Sequence, residues 1–159
     1  MSKVKVDEVD MKILQILGED SKTNYREIGK NLDIAIGTVS NRINNLKERG
    51  LIKKFTIDVD MFSIGYEITA IILIQIEGKF IHELEEQLAK EPNVYAIYDT
   101  TGDWDSIILV KFKHVHDLNA FLKRLNKMEH VKQTSTSVCL NVIKESICFP
   151  LQEVLNKEE

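Results

Sequence analysis

Disulfide chemistry is the first class this sequence excludes. Two cysteines occur in 159 residues, Cys139 and Cys148, with no C-x-x-C spacing, so neither a disulfide framework nor a cysteine zinc site is supported. Proline is as scarce, at two residues, and no Pro-rich or Gly/Ser-rich linker divides the chain. The four histidines, His82, His114, His116 and His130, are scattered. His114 and His116 are two apart without an acidic or cysteine partner at ligand spacing, so no metal site is expected. P-loop, GxGxxG, HExxH and GxSxG patterns are absent, which removes the commonest nucleotide-binding and hydrolytic signatures. No catalytic residue and no cofactor is therefore expected. The longest apolar run, Ile68 to Ile76, contains Thr69 and Gln75 and is far shorter than a membrane span. The opening MSKVKVDEVD lacks the apolar region of a signal peptide, so a cytoplasmic location without membrane association is expected.

What is present is an uneven distribution of charge. The net charge is −4 overall, which by itself argues against nucleic acid. Residues 1–60, however, hold 11 Lys and Arg against 10 Asp and Glu, whereas residues 61–159 hold 10 against 15. Within 36–54, five basic residues (Arg42, Lys47, Arg49, Lys53, Lys54) face one acid, Glu48. The cations are concentrated on one short element of a chain whose remainder is acidic.

That element follows a tight turn and is predicted to be a helix from Ile36 to Arg49. Val39, Ile43 and Leu46 recur at spacings of four and three and share one buried face. Thr38, Asn41, Asn44 and Asn45 fall opposite, with Ser40 at the margin. A solvated helical face ordinarily carries Glu or Lys, which favour helix; amides and hydroxyls are a costly filling for it. They suit the major groove of double-stranded DNA, where Asn pairs bidentately with adenine and Ser or Thr reaches several base edges. Arg42 flanks the apolar stripe and is assigned to DNA as a phosphate contact, with an internal pair to an acid of the first helix as the alternative. Lys53 and Lys54 lie beyond Gly50, as phosphate contacts or as plain solvated charge.

Two helices are predicted before it. One begins near Asp7, a fair N-cap, and ends at Gly18; the other runs from about Asn24 to Leu32. Residues 51–60, LIKKFTIDVD, read as a wing or hinge strand bridging to the second half, and FSIGYE as a turn. Beyond Glu67 the pattern becomes β-rich. Strands are expected at Ile68–Glu77, Val94–Thr100, Ser106–Phe112 and Gln133–Ile143, with helices at Phe80–Lys90 and His116–Lys127. This βαββαβ order packs as a four-stranded antiparallel sheet with two helices on one face. Isoleucine and leucine occur on both parities of the first strand, so a second subunit is expected against the open face. Ser146–Leu151 reads as a short edge strand and the final NKEE as a solvated end.

In this order and spacing, VDEVDMKILQIL, NYREIGKNLDIAIGTVSNRINNLKERGLI, FSIGY, TGDWD and VKQTSTSVCL resemble the Lrp/AsnC family, the leucine-responsive or feast/famine regulators, from about Val6 to Glu145. The resemblance implies an α+β chain: a winged helix-turn-helix DNA-binding domain with hinge strand over 1–60, then a ferredoxin-like effector-binding and oligomerisation domain over 61–159. It implies a homodimer, sheet against sheet, assembling to tetramers or octamers. It also implies an amino-acid effector bound near the TGDWD loop (Gly102, Asp103, Trp104, Asp105) and the TST strand (Thr134, Ser135, Thr136). Taken as residues alone, TGDWD is an ordinary tight turn. As a site, its carboxylates would hold an ammonium group and the backbone N–H groups near Gly102 a carboxylate. The function expected is transcriptional regulation through sequence-specific DNA binding. The alternatives are an architectural DNA-binding protein of low specificity and a haem-biosynthesis decarboxylase of related fold. The decarboxylase would need arginines for a carboxylate-rich tetrapyrrole, and the second half has only Arg124.

Overall fold

In the computed structural model of the protein, residues 5–146 are described. They fall into two compact units, one ending at Asp58 and the other spanning Val59–Glu145. The expected edge strand at Ser146–Leu151 and the solvated NKEE end lie outside the described residues, apart from Ser146.

The first unit is trihelical. Asp7 caps α1 (Glu8–Glu19), its side chain accepting from the Asp10 backbone N–H at 2.8 Å. Asn24 does the same for α2 (Tyr25–Leu32), accepting from the Glu27 N–H at 3.0 Å. A turn with Asp33 in the left-handed conformation leads to α3 (Ile36–Glu48). Ile13, Leu17, Ile28, Val39, Ile43 and Leu46 form the core. Full burial of each such side chain is worth about 1.5–3 kcal/mol, enough to hold three short helices that would not persist alone.

At Gly29 the turn passes so close to α2 that a Cβ would lie 2.7 Å from the Ile34 backbone oxygen. The Ile34 N–H donates back to the Gly29 carbonyl at 2.9 Å. After α3, the Leu51 and Ile52 N–H groups both donate to the Leu46 carbonyl. Residues 53–60 then join no ladder, so the expected hinge strand is not a strand here. A lone extended segment has no neighbour to satisfy its backbone, and a strand is defined by its partner.

The second unit is βαββαβ. Its strands are β1 (Ile68–Ile76), β2 (Val94–Asp99), β3 (Ser106–Phe112) and β4 (Val131–Val138). Two helices, α4 (Ile81–Leu88) and α5 (Val115–Leu125), connect them. The sheet is antiparallel in the order β2-β3-β1-β4. Ala70, Ile72, Ile74 and Ile76 of β1, with Ile108, Val110 and Phe112 of β3, pack against Leu84, Leu88, Leu118, Phe121 and Leu125 of the helices. The alternate residues Ile71, Leu73, Ile107 and Leu109 lie on the opposite face and are only partly covered; Ile71 retains 37% exposure. β4 ends at Val138, short of the expected Ile143. Only the Cys139 N–H continues the pairing, to the Thr69 carbonyl at 2.8 Å.

Beyond β4 the chain reaches the other side of the sheet. Glu145 accepts from Tyr95 Oη at 2.6 Å and pairs with Lys111 Nζ at 2.8 Å. Lys111 also donates to Thr69 Oγ1. Burial, with the neighbouring Glu145 carboxylate, pushes the Tyr95 phenol well above its usual range. Burial opposes ionisation of Glu145 as well, but the hydrogen bonds from Lys111 and Tyr95 outweigh it and hold that carboxyl below its usual range.

Candidate nucleic-acid interface and ligand site

α3 presents the face its periodicity implies. Val39, Ile43 and Leu46 are buried, while Thr38, Asn41, Asn44 and Asn45 are exposed and Ser40 is half-buried. Ile36, at the start of the helix, is 49% exposed. Lys53 and Lys54 are exposed too.

Arg42 takes the internal alternative, which corrects its assignment to DNA. Its Nη1 donates to Asp7 Oδ2 and to Asp10 Oδ1, both at 2.7 Å. Asp10 is almost fully buried, so its carboxylate needs this partner. The Asp7 carboxyl is held below the usual range first by the Asp10 backbone N–H and then by Arg42. The Arg42 guanidinium is held charged by the same two carboxylates, Asp7 foremost. Arg49 is engaged likewise: it donates to Asn45 Oδ1 at 3.0 Å and to the Lys5 carbonyl, and lies 3.8 Å from Asp10 Oδ2. Asn45 is thereby partly committed inside the unit. Sequence reasoning missed Asp7, Asp10 and Arg49 as parts of this lock. The signal was there in a helix opening with two acids three apart, but only the fold shows which cation meets them.

In the second unit, Asp99, Thr100, Thr101, Asp103, Trp104 and Ile107 line a depression of about 530 Å³. Gly102, at φ 114°, makes the turn above it, a conformation that disfavours any side chain. Asp103 and Trp104 belong to the lining, as do Asp99 and Thr100, which the sequence reading left as the end of a strand, and Thr101, which it left as the start of the turn.

Asp105 is turned elsewhere. Its Oδ2 accepts from the Ile76 N–H at 2.7 Å, and its own N–H donates to the Ile74 carbonyl. The β1–β4 register shifts between Gln75 and Ile76, where Asp105 supplies the Ile76 amide with an acceptor. The expected Asp103–Asp105 pair around an ammonium is thus corrected, because one carboxylate is already occupied.

The TST strand is not brought into the depression either. Thr134 and Thr136 lie opposite Ile74 and Ile72, on the helix-covered face, and Thr134 Oγ1 donates to Asn126 Oδ1 at 2.8 Å. Ser135 lies opposite Leu73, on the open face. Among the described residues no group of three or more His, Cys, Asp or Glu could hold a metal ion, and no helix is long and apolar enough to cross a membrane.

Comparison with known proteins agrees with this geometry. Residues 6–53 match the model of a winged helix-turn-helix DNA-binding domain, and residues 69–147 that of the Lrp/AsnC ligand binding domain. An uncharacterised HTH-type transcriptional regulator of Pyrococcus horikoshii is 44% identical over 142 residues, which cover 89% of this chain and 96% of that protein. HTH-type transcriptional regulator FL11 of Pyrococcus furiosus is 38% identical over 147 residues, covering 92% and 97%. Among solved structures, Escherichia coli AsnC superposes with a TM-score of 0.83 at 23% identity, covering 90% of this chain and 97% of that one. A Neisseria meningitidis transcriptional regulator in complex with L-Met superposes with a TM-score of 0.86 at 22% identity, covering 94% and 99%. These two likenesses establish the fold, a winged helix-turn-helix followed by a ferredoxin-like α+β domain. With both halves matched in order and relatives similar over nearly their full length, the chain belongs to the Lrp/AsnC family and is a DNA-binding transcriptional regulator.

Proposed function

We propose that residues 1–60 read operator DNA and that residues 61–159 bind an amino acid and join subunits. Thr38, Asn41 and Asn44 meet base edges, Ser40 meets a base or phosphate at the margin, and Lys53 and Lys54 meet phosphates. The observation that carries this reading is the exposed amide and hydroxyl face of α3 above a fully buried Val39/Ile43/Leu46 back. Two such helices in a dimer would engage half-sites about one helical turn apart, roughly 34–36 Å. Asn41→Ala should weaken binding to the specific operator by roughly 1–3 kcal/mol and leave random duplex binding nearly unchanged. Titrations on both duplexes measure it; equal losses on the two would assign Asn41 to the backbone.

The effector is an amino acid held in the depression beneath the TGDWD loop. Asp103 and Asp99 offer carboxylates to its ammonium group, and Trp104 with Ile107 offers apolar surface to its side chain. Binding regulates DNA recognition only if the ligand favours one assembly over another. Calorimetry with each of the twenty amino acids should give a ligand whose affinity falls about tenfold or more in Asp103→Asn, as expected for a lost charge-assisted hydrogen bond. In Asp105→Asn, whose side-chain oxygen still accepts from Ile76, that ligand should bind nearly as before. Binding unaffected by Asp103→Asn would move the site elsewhere.

A further inference from the structure

Guanine recognition in the major groove ordinarily falls to arginine, whose fork matches the O6 and N7 acceptors; asparagine matches adenine, and apolar groups meet the thymine methyl. Which of these chemistries α3 can offer is decided by what its side chains already hold. Both arginines of the helix region are engaged within the unit. Arg42 is bound to Asp7 and Asp10, and Arg49 to Asn45 and the Lys5 carbonyl. Freeing Arg42 would leave the Asp10 carboxylate, 6% exposed, without its closest counter-charge, which is strongly unfavourable. Lys47 lies in the last turn, its ammonium 5.1 Å from the centre of the Phe55 ring. It is remote from the N-terminal turns that meet bases in helix-turn-helix complexes.

With Asn45 and Lys47 thus engaged, the exposed side chains left free ahead of the last turn are Ile36, Thr38, Asn41 and Asn44. Thr38, Asn41 and Asn44 follow one another at intervals of three, so they lie along one side of the helix. No hydrogen bond within the protein engages these three side chains among the described contacts, and Ile36 retains half its surface. The set comprises two adenine-matching amides and two groups with methyls, and no guanine-matching fork.

We propose that α3 reads A·T pairs: Asn41 and Asn44 bond to adenine N6 and N7, and the methyl groups of Ile36 and Thr38 pack on thymine methyls. This rests on α3 being the DNA-reading element and adds which bases it selects. Sequence-dependent bending also favours A·T tracts in many complexes, but acts through groove width and stiffness rather than through major-groove atoms.

The test separates these sources. Duplexes are selected from a randomised library with the full chain, and the selected half-site is resynthesised with 7-deazaadenine for single adenines and uracil for single thymines. The expected result is A·T pairs at the contacted positions. Affinity should fall roughly 5- to 150-fold at an adenine deprived of N7, and several-fold less at a thymine deprived of its methyl. Asn44→Ala should abolish the sensitivity at one adenine. Guanines at the contacted positions would overturn the inference, as would A·T selection indifferent to both substitutions. Duplex binding with no enriched sequence would also overturn it while leaving DNA binding intact. Failure to bind any duplex would fell both readings.

Discussion

Gly29→Val should destabilise the trihelical unit by about 3 kcal/mol, the upper end of the usual cost of forcing extra volume into a packed site. The new Cβ would lie 2.7 Å from the Ile34 carbonyl oxygen, a backbone atom that cannot rotate aside. That segment is pinned on both flanks, by the Ile34 N–H bonded to the Gly29 carbonyl and by Val39 in the core. The turn sets the angle at which α3 leaves α2, so relaxing it would tilt the reading face. Urea denaturation followed by helical circular dichroism measures the loss. A shift below about 0.5 kcal/mol, ordinary for a surface substitution, would show that the turn yields easily. Hydrogen exchange of β1 and β3 should be unchanged, because the sheet has a core of its own.

Leu73→Lys should separate the subunits of the proposed sheet-to-sheet dimer. Leu73 lies on the open sheet face, opposite Ile107 on one side and Ser135 on the other. Its side chain points away from the helices, so the substitution leaves the Ile72/Ile74/Ile108 core in place. In a sheet-to-sheet dimer it places an unpaired ammonium in the middle of an apolar contact. A penalty of about 4 kcal/mol raises the dissociation constant by roughly three powers of ten. Sedimentation at micromolar concentration should show dimer or larger for the wild type and monomer for the variant, with unchanged circular dichroism. Operator affinity should fall with assembly, since each half-site would then be bound alone. A variant that stays dimeric would remove this face from the interface.

The parts legible in the sequence were those encoded by local periodicity. The Val39/Ile43/Leu46 stripe says which residues turn inward, whatever they pack against, and the β-branched run Ile68–Ile76 marks a strand, although its two apolar parities do not say which face the helices cover. Ser106–Phe112 is a strand with the expected ends. Features that depend on a distant partner were not legible. Residues 53–60 have strand composition, yet a strand needs a neighbour. Arg42 stood between two readings because nothing local connects it to Asp7 and Asp10, 35 and 32 positions away. Asp105 looked like a ligand carboxylate. Its engagement follows from a register shift in β1 that no residue of the TGDWD loop announces. Gly29 carries no local signal of its role, because only the fold brings a carbonyl oxygen to its α-carbon.

The Tyr95–Glu145–Lys111 cluster has a mechanical consequence. β4 and β2 are opposite edges of the sheet, where peeling would ordinarily begin independently. The segment after β4 is fastened to Tyr95 of β2 and Lys111 of β3, so the last strand carries a tether to the far margin. Fraying of β4 by sideways withdrawal must either extract the Glu145 carboxylate from its two partners or stop at the slack of residues 139–144. The open sheet is thus looped back on itself like a belt through a buckle, and its two free margins are made to open as one event.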